Sequence, residues 1–264
     1  MNHNIIFFDI DGTLLSETTH TIPESTKVAI KKAQENGHLL FINTGRGISN
    51  IAPAIKELNF DGYICGCGTY IEFKGKELLS KSFSNNFARK IIDDIHNLKI
   101  DAILEGKSGI YFDKDNLIYE KEVKEIKSRN LKNNLCKAKS FDDDNINFDK
   151  LVIWTNSNSD FDAFYKKYKN TFDFIHRENN FFELVPLGYS KATGIEFLIK
   201  ELNIDFNNTF ALGDSTNDLS MLQYVKNSIA MGNSNPKLFD LVSYITTDIE
   251  DNGIYNALKH YNII

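Results

Sequence analysis

Two acids one residue apart, Asp9 and Asp11, close the apolar run Ile5–Phe8 and are followed at once by Gly12. Carboxylates at the end of a buried strand stand where open α/β sheets place their ligands. Spaced this way they can converge on one cation, with the Ile10 carbonyl as a further hard oxygen. Such a set suits Mg2+, which takes few protein ligands and keeps several waters. Gly12 lets the backbone turn sharply and approach a bound anion. Read alone, the segment divides evenly between a cation site and a pair of solvated acids at a turn. A calcium loop is the poorer match, because Thr13, Leu14 and Leu15 follow Gly12 and no late glutamate completes the loop.

Three more segments share this placement. Thr44-Gly45-Arg46 follows the buried run Leu39–Ile42; its hydroxyl and backbone N–H groups can hold phosphate oxygens, and Arg46 can add a bidentate contact. A plain strand-to-helix turn explains it as well. Lys191 precedes the helical pattern Ala192–Leu202. A cation there opposes the helix dipole, so neutralising phosphate accounts for it better than capping does, although surface lysines are common. Gly213-Asp214-Ser215-Thr216-Asn217-Asp218 follows the strand-like Thr209–Leu212. Asp214 and Asp218 can meet one cation, directly and through a second layer of contacts; Asp218 alone is also explained as a first-turn acid.

In this order the four segments resemble the motifs of the haloacid dehalogenase-like hydrolases, and within them the Cof-type phosphatases. Phe182–Pro186 and Met231-Gly232-Asn233 support the match, which covers essentially the whole chain. The resemblance implies a Rossmann-like α/β core with a parallel sheet, residues 1–83 and 187–264, and an inserted α+β cap, residues 84–186, that selects the substrate. It implies a small phosphate monoester as substrate, Asp9 as nucleophile and Asp11 as acid and base. Thr44, Lys191 and Asn217 would bind the transferring group, beside Gly12, Gly45 and Arg46. Mg2+ would be held by Asp9, the backbone next to Asp11 and Asp214, with Asp218 orienting the metal shell. Two departures stand near the expected cleft: Cys67 replaces a frequent asparagine, and Ser215 a frequent glycine. A phosphotransferase on the same scaffold, or a sensor that binds phospholigands without turnover, remain alternatives.

The bulk composition fits this class. A chain of 264 residues, 42% hydrophobic and 25% charged, has the length for two domains and a sizeable core. A net charge of −6 argues against a general nucleic-acid or membrane-surface binder. No apolar stretch approaches the roughly 20 residues of a membrane span, and no secretory pattern opens the chain. Three cysteines make no disulfide framework; Cys65 and Cys67 read as buried thiols, and the location as cytoplasmic. Oligomeric state is not legible.

The elements that must carry these residues follow from apolar periodicity. Ile5–Phe8, Leu39–Ile42 and Gly62–Cys65 read as strands separated by helices, one capped by Thr21 and Glu24 and stopped at Gly37, another over Ser49–Leu58. Strands at Thr209–Leu212 and Ser228–Met231, with helices at Leu219–Val225 and Pro236–Leu241, repeat that grammar. The middle differs. Asp101–Leu104, Ile110–Asp113, Leu151–Thr155, Phe172–His176 and Phe181–Val185 alternate as an antiparallel sheet half covered by helices. Asp142–Asp144 reads as a solvated loop, Tyr111, Trp154 and Phe181 as packing residues, and His176 and Arg177 as the weaker candidates for recognition.

Overall fold

Four apolar residues buried on both faces make Ile5–Phe8 a central strand, and all four are 0% exposed. The computed structural model describes residues 3–114, 119, 121, 123–124, 126–128, 138–178 and 180–264. Its strands are β1 (Ile5–Phe8), β2 (Leu39–Asn43), β3 (Gly62–Cys65), β4 (Tyr70–Phe73), β5 (Lys76–Ser80), β6 (Asp101–Gly106), β7 (Gly109–Phe112), β8 (Ala138–Ser140), β9 (Lys150–Trp154), β10 (Phe172–Glu178), β11 (Phe181–Pro186), β12 (Thr209–Gly213), β13 (Asn227–Ala230) and β14 (Tyr244–Ile245). They belong to two compact units. One comprises Met1–Gly45, Ala54–Leu79 and Ser190–Ile264, the other Arg46–Pro53 and Ser80–Tyr189.

The sheet of the first unit has the order β14-β13-β12-β1-β2-β3-β4-β5. From β14 to β3 every pairing is parallel; β4 returns antiparallel to β3. Ile5 pairs with Thr209 on one side and with Leu39 on the other. Strand order therefore reverses between β1 and β12, the switch point at which such sheets open a crevice. Helices Lys191–Glu201 and Leu219–Tyr224 cover one face, where Ile195, Leu198 and Met221 pack on Ile5, Phe7, Phe41 and Ile64.

The sheet of the second unit has the order β10-β11-β9-β6-β7-β8, antiparallel except for the parallel pair β7–β8. Helices Asn85–Asn97 and Phe161–Tyr168 bury one face through Ile91, Ile95, Phe164, Leu104, Leu151 and Leu184, and Tyr111 belongs to the same core. The other face carries Ile103, Val152 and Trp154, with Trp154 stacked on Phe181 at 4.8 Å. Beside them runs a buried chain of charge. Lys150 Nζ lies 3.2 Å from Glu105 and 2.7 Å from Glu183, which Arg177 also pairs.

Several boundaries differ from the sequence reading for identifiable reasons. The first helix is Glu24–Glu35, with Pro23 rather than Thr21 at its cap and no side-chain cap bond. Gly37 does end it, at φ +83°. Instead of a helix over Ser49–Leu58 there is a 3-10 turn, Ile48–Asn50, and a single helical turn, Pro53–Lys56. Pro53 explains the break, since proline lacks an N–H and disfavours helix in the residue before it. Residues 46–53 group with the second unit rather than the first, and Ser49 Oγ donates to the Gly106 carbonyl at 2.8 Å. Pro236–Leu241 is 3-10 rather than α. The hairpin strands β4 and β5 were not foreseen; Lys74 and Gly75 join them, both at positive φ. Asp142 is exposed and pairs with Lys114, as a solvated loop requires.

Candidate active site

The Asp9 N–H donates to the Leu212 carbonyl at 3.1 Å, extending the β1–β12 ladder by one residue and fixing the nucleophile candidate at the switch point. The chain then turns on itself. The Ile10 carbonyl accepts from Leu14 N at 2.9 Å and Leu15 N at 2.8 Å. These turn bonds engage the carbonyl that the sequence reading offers to a cation. Gly12 sits at φ +77°, and a Cβ there would stand 2.3 Å from Asp214 Oδ2. Its glycine is thus required by the approach of a carboxylate as much as by any bound anion. Asn233 Nδ2 holds the Gly12 carbonyl at 2.8 Å and accepts at Oδ1 from Ile249 N at 3.0 Å. Thr13 Oγ1 donates to Asp214 Oδ1 at 3.0 Å.

Lys191 is the first residue of its helix, behind a reciprocal cap between Ser190 and Thr193. Its side chain is 1% exposed, and its ammonium lies 2.5 Å from Asp9 Oδ1 and 2.5 Å from Asp218 Oδ1. The second oxygen of Asp218 accepts from the backbone N–H of Asp214 and of Ser215, each at 3.0 Å. Asp218 is therefore locked, and Gly213 leaves it room: a Cβ on Gly213 would meet the Asp218 side chain at 2.6 Å.

One ammonium faces three acids. Ligand atoms of Asp9, Asp214 and Asp218 all lie within 4.8 Å of one another. Burial and then the Asp218 charge push Asp9 up to about 7, against the pull of Lys191. Burial, then Asp218 and Asp9, push Asp214 up to about 8. Burial by itself would lower Lys191, but Asp218 and Asp9 outweigh it and hold the ammonium above its ordinary value. Lysine therefore stays charged, and burial first, then the surplus of carboxylate over ammonium, lifts the acids. A hard, doubly charged cation answers that surplus, and this all-oxygen donor set fits Mg2+.

Thr44 continues β2 and is 2% exposed. Its N–H donates to Ile64 O at 2.9 Å, and its carbonyl accepts from Cys67 N at 3.1 Å. Cys67 adopts φ +55°, a left-handed conformation that asparagine tolerates better than cysteine. Asp11 and Asn217 are half-buried, and Asn217 Oδ1 accepts the Ser215 hydroxyl. Gly45 ends the first unit's segment, while Arg46 groups with the second unit. The arrangement thus joins Asp9, Gly12, Lys191, Asp214 and Asp218 by direct contact, and places Thr44 on the neighbouring strand end. Sequence reasoning assigned no role to Thr13, Asn43 or Asn233, which tie these groups together. Asn43 had a visible signal: it is the polar residue closing an apolar strand. Cys65 and Cys67 are buried as foreseen.

Acids from two adjacent strand ends of a largely parallel α/β sheet are thus gathered around a buried lysine. The chain belongs to the haloacid dehalogenase-like hydrolases, whose family model matches residues 6–258. YkrA of Bacillus subtilis (strain 168) is 27% identical over 284 residues, covering 100% of both chains. The 5-amino-6-(5-phospho-D-ribitylamino)uracil phosphatase YcsE of the same organism is 25% identical over 261 residues, covering 97% of this chain and 95% of its own. Among solved structures, a sugar phosphatase of HAD subclass IIB superposes with a TM-score of 0.81 at 27% identity, over 99% of this chain and 100% of that one. Among the described residues, no helix is long and apolar enough to cross a membrane.

Proposed function

We propose that this hydrolase is a magnesium-dependent phosphatase acting on small phosphorylated metabolites, sugar phosphates or similar monoesters, through a covalent intermediate on Asp9. The observation that carries the reading is the buried Lys191 ammonium held 2.5 Å from Asp9 Oδ1 and 2.5 Å from Asp218 Oδ1.

An Asp9 carboxylate oxygen attacks phosphorus, and the bond from phosphorus to the ester oxygen breaks. Asp11 gives its proton to the departing oxygen. Water then attacks the aspartyl-phosphate, Asp11 takes its proton, and the phosphorus–Asp9 bond breaks to release inorganic phosphate. Splitting the displacement in two is the benefit of covalent catalysis, and the acid/base part contributes about 10²–10⁴-fold. Positioning and charge stabilisation must supply most of the rest, since enhancements for this reaction class reach ~10²¹. Lys191 neutralises the transferring group, with Thr44 and Asn217 as donors to its oxygens. Asp9, Asp214 and the Asp11 backbone would hold Mg2+, with Asp218 orienting the site; the ion supplies positive charge beside the phosphate when bound. We assign the choice of leaving group to the second unit, on the strength of its insertion between the second and third motifs.

The test is a set of initial rates over a phosphorylated-metabolite panel with Mg2+, with and without acceptor sugars. Mg2+-dependent phosphate release is expected. Its absence across the panel would leave a binding protein, and transfer to an acceptor sugar in preference to water would mark a phosphotransferase.

A further inference from the structure

Asn43 closes β2 and is 0% exposed, directly before Thr44. Its Nδ2 donates to the Lys191 carbonyl at 3.0 Å and lies 3.5 Å from Met221 Sδ. Its Oδ1 is buried without a hydrogen-bond partner. Reversing the amide would set oxygen against the carbonyl oxygen, so the donor is correctly placed and the unpartnered acceptor is intrinsic to the arrangement. Burying an unpaired acceptor is destabilising, a penalty that an apolar residue, like the four before it, would not incur.

Helix formation does not call for this bond. The helix start is already capped by Ser190, whose Oγ accepts from Thr193 N at 3.1 Å. The carbonyl of a first helical residue also has its own acceptor role four residues on. What the amide adds is a tie between three pieces of the site: the strand that carries Thr44, the residue that carries the ammonium, and the helix that follows Asp218. Lys191 divides its ammonium between two carboxylates at 2.5 Å each, a geometry that tolerates little drift of its backbone.

We propose that Asn43 is a positioning residue: its amide fixes the backbone of Lys191 so that the ammonium stays shared between Asp9 and Asp218. The assignment rests on the reading of Lys191 as part of the phosphoryl-transfer site.

The test uses Asn43→Leu and Asn43→Ser in the full chain, with p-nitrophenyl phosphate and Mg2+ as probe. It adds melting curves and hydrogen exchange of the peptide spanning the first turn of helix Lys191–Glu201. Asn43→Leu is expected to melt at the parent temperature or above. Its kcat falls about 10- to 100-fold with KM within about twofold, the loss typical of a displaced catalytic group. First-turn amides exchange about tenfold faster or more. Asn43→Ser, which keeps a donor, falls between Leu and the parent. Parent-like kcat and exchange in Asn43→Leu overturns the proposal, as does an equal loss of kcat in both variants, the mark of simple packing. If the Leu variant does not fold, Asn43→Ser decides: faster first-turn exchange supports the assignment and parent-like exchange overturns it. Absence of turnover in the parent protein sinks the phosphatase reading instead, and exchange still judges Asn43.

Discussion

Thr13 Oγ1 donates to Asp214 Oδ1 across 3.0 Å, joining residues 201 positions apart. The bond spans the switch point, from the turn after β1 to the loop after β12, and it orients the acid that sequence spacing marked for a cation. Thr13 was visible as part of a motif, but its partner was not, because nothing local in the chain says that those two strand ends are neighbours.

Asp9→Asn is expected to lose phosphate release to background while the protein melts close to the parent temperature. The amide cannot attack phosphorus, yet it fits the same space and removes one of three crowded acids beside Lys191. Turnover comparable to the parent would end the nucleophile assignment.

Mg2+ binding to the folded state should raise the melting temperature with concentration, by about 2.7 kcal/mol of stability at a hundredfold excess over Kd. Asp214→Asn removes one of the three clustered acids and is expected to abolish most of that shift. An undiminished shift in the variant, read by calorimetry without any substrate, would place the cation elsewhere.

Gly12→Ala introduces a Cβ 2.3 Å from Asp214 Oδ2 at a φ of +77°. The conformation alone costs on the order of 1–2 kcal/mol, and the contact must displace the carboxylate as well. Both stability and Mg2+ response should fall; a variant with parent-like values in both would show that the close approach is unimportant.

Acid sensitivity in the second unit follows from two buried carboxyls shifted in opposite directions. Burial would raise Glu183, but Lys150 and Arg177 outweigh it and hold the folded value near about 2 against 4.5. Its stabilisation is fully present above 4.5 and is lost as pH falls through that window. Burial and the Glu105 charge raise Asp149 from 3.8 to about 7. A raised acid works the other way, since stability falls as pH climbs from 3.8 to about 7. Asp149→Asn is therefore expected to flatten the stability curve over that range and to be most stabilising above it. Glu183→Gln should leave Lys150 under-compensated and cost about 3–5 kcal/mol at neutral pH. Urea titrations across pH 2 to 8 measure both, and a curve unchanged by either variant would refute them.

What the sequence made legible was whatever depends on local pattern. β1, β2, β3, β12 and, in the second unit, β6, β7, β9, β10 and β11 are short apolar or alternating runs with clear stops, and the acids after β1 and β12 are placed by those stops. What escaped it depends on contacts between distant segments. The bond from Thr13 to Asp214 is one such contact. Asn43 looked like a strand end, and only the approach of Lys191 gives its amide a purpose. Ser49–Leu58 reads as one helix, but Pro53 interrupts it and Ser49 instead donates to the Gly106 carbonyl.

The pairing of Ile5 with Thr209 also has a consequence for the order of events on the ribosome. β1 emerges early but finds β12 only after nearly all of the chain has been made. In the interval its four bare apolar residues have β2 alone beside them. The second unit is drawn mainly from one continuous stretch, Ser80–Tyr189, and can condense while the first is still waiting for its missing strand. Asp214 and Asp218 lie just beyond that late strand, so any product ending before Thr209 lacks two of the three clustered acids.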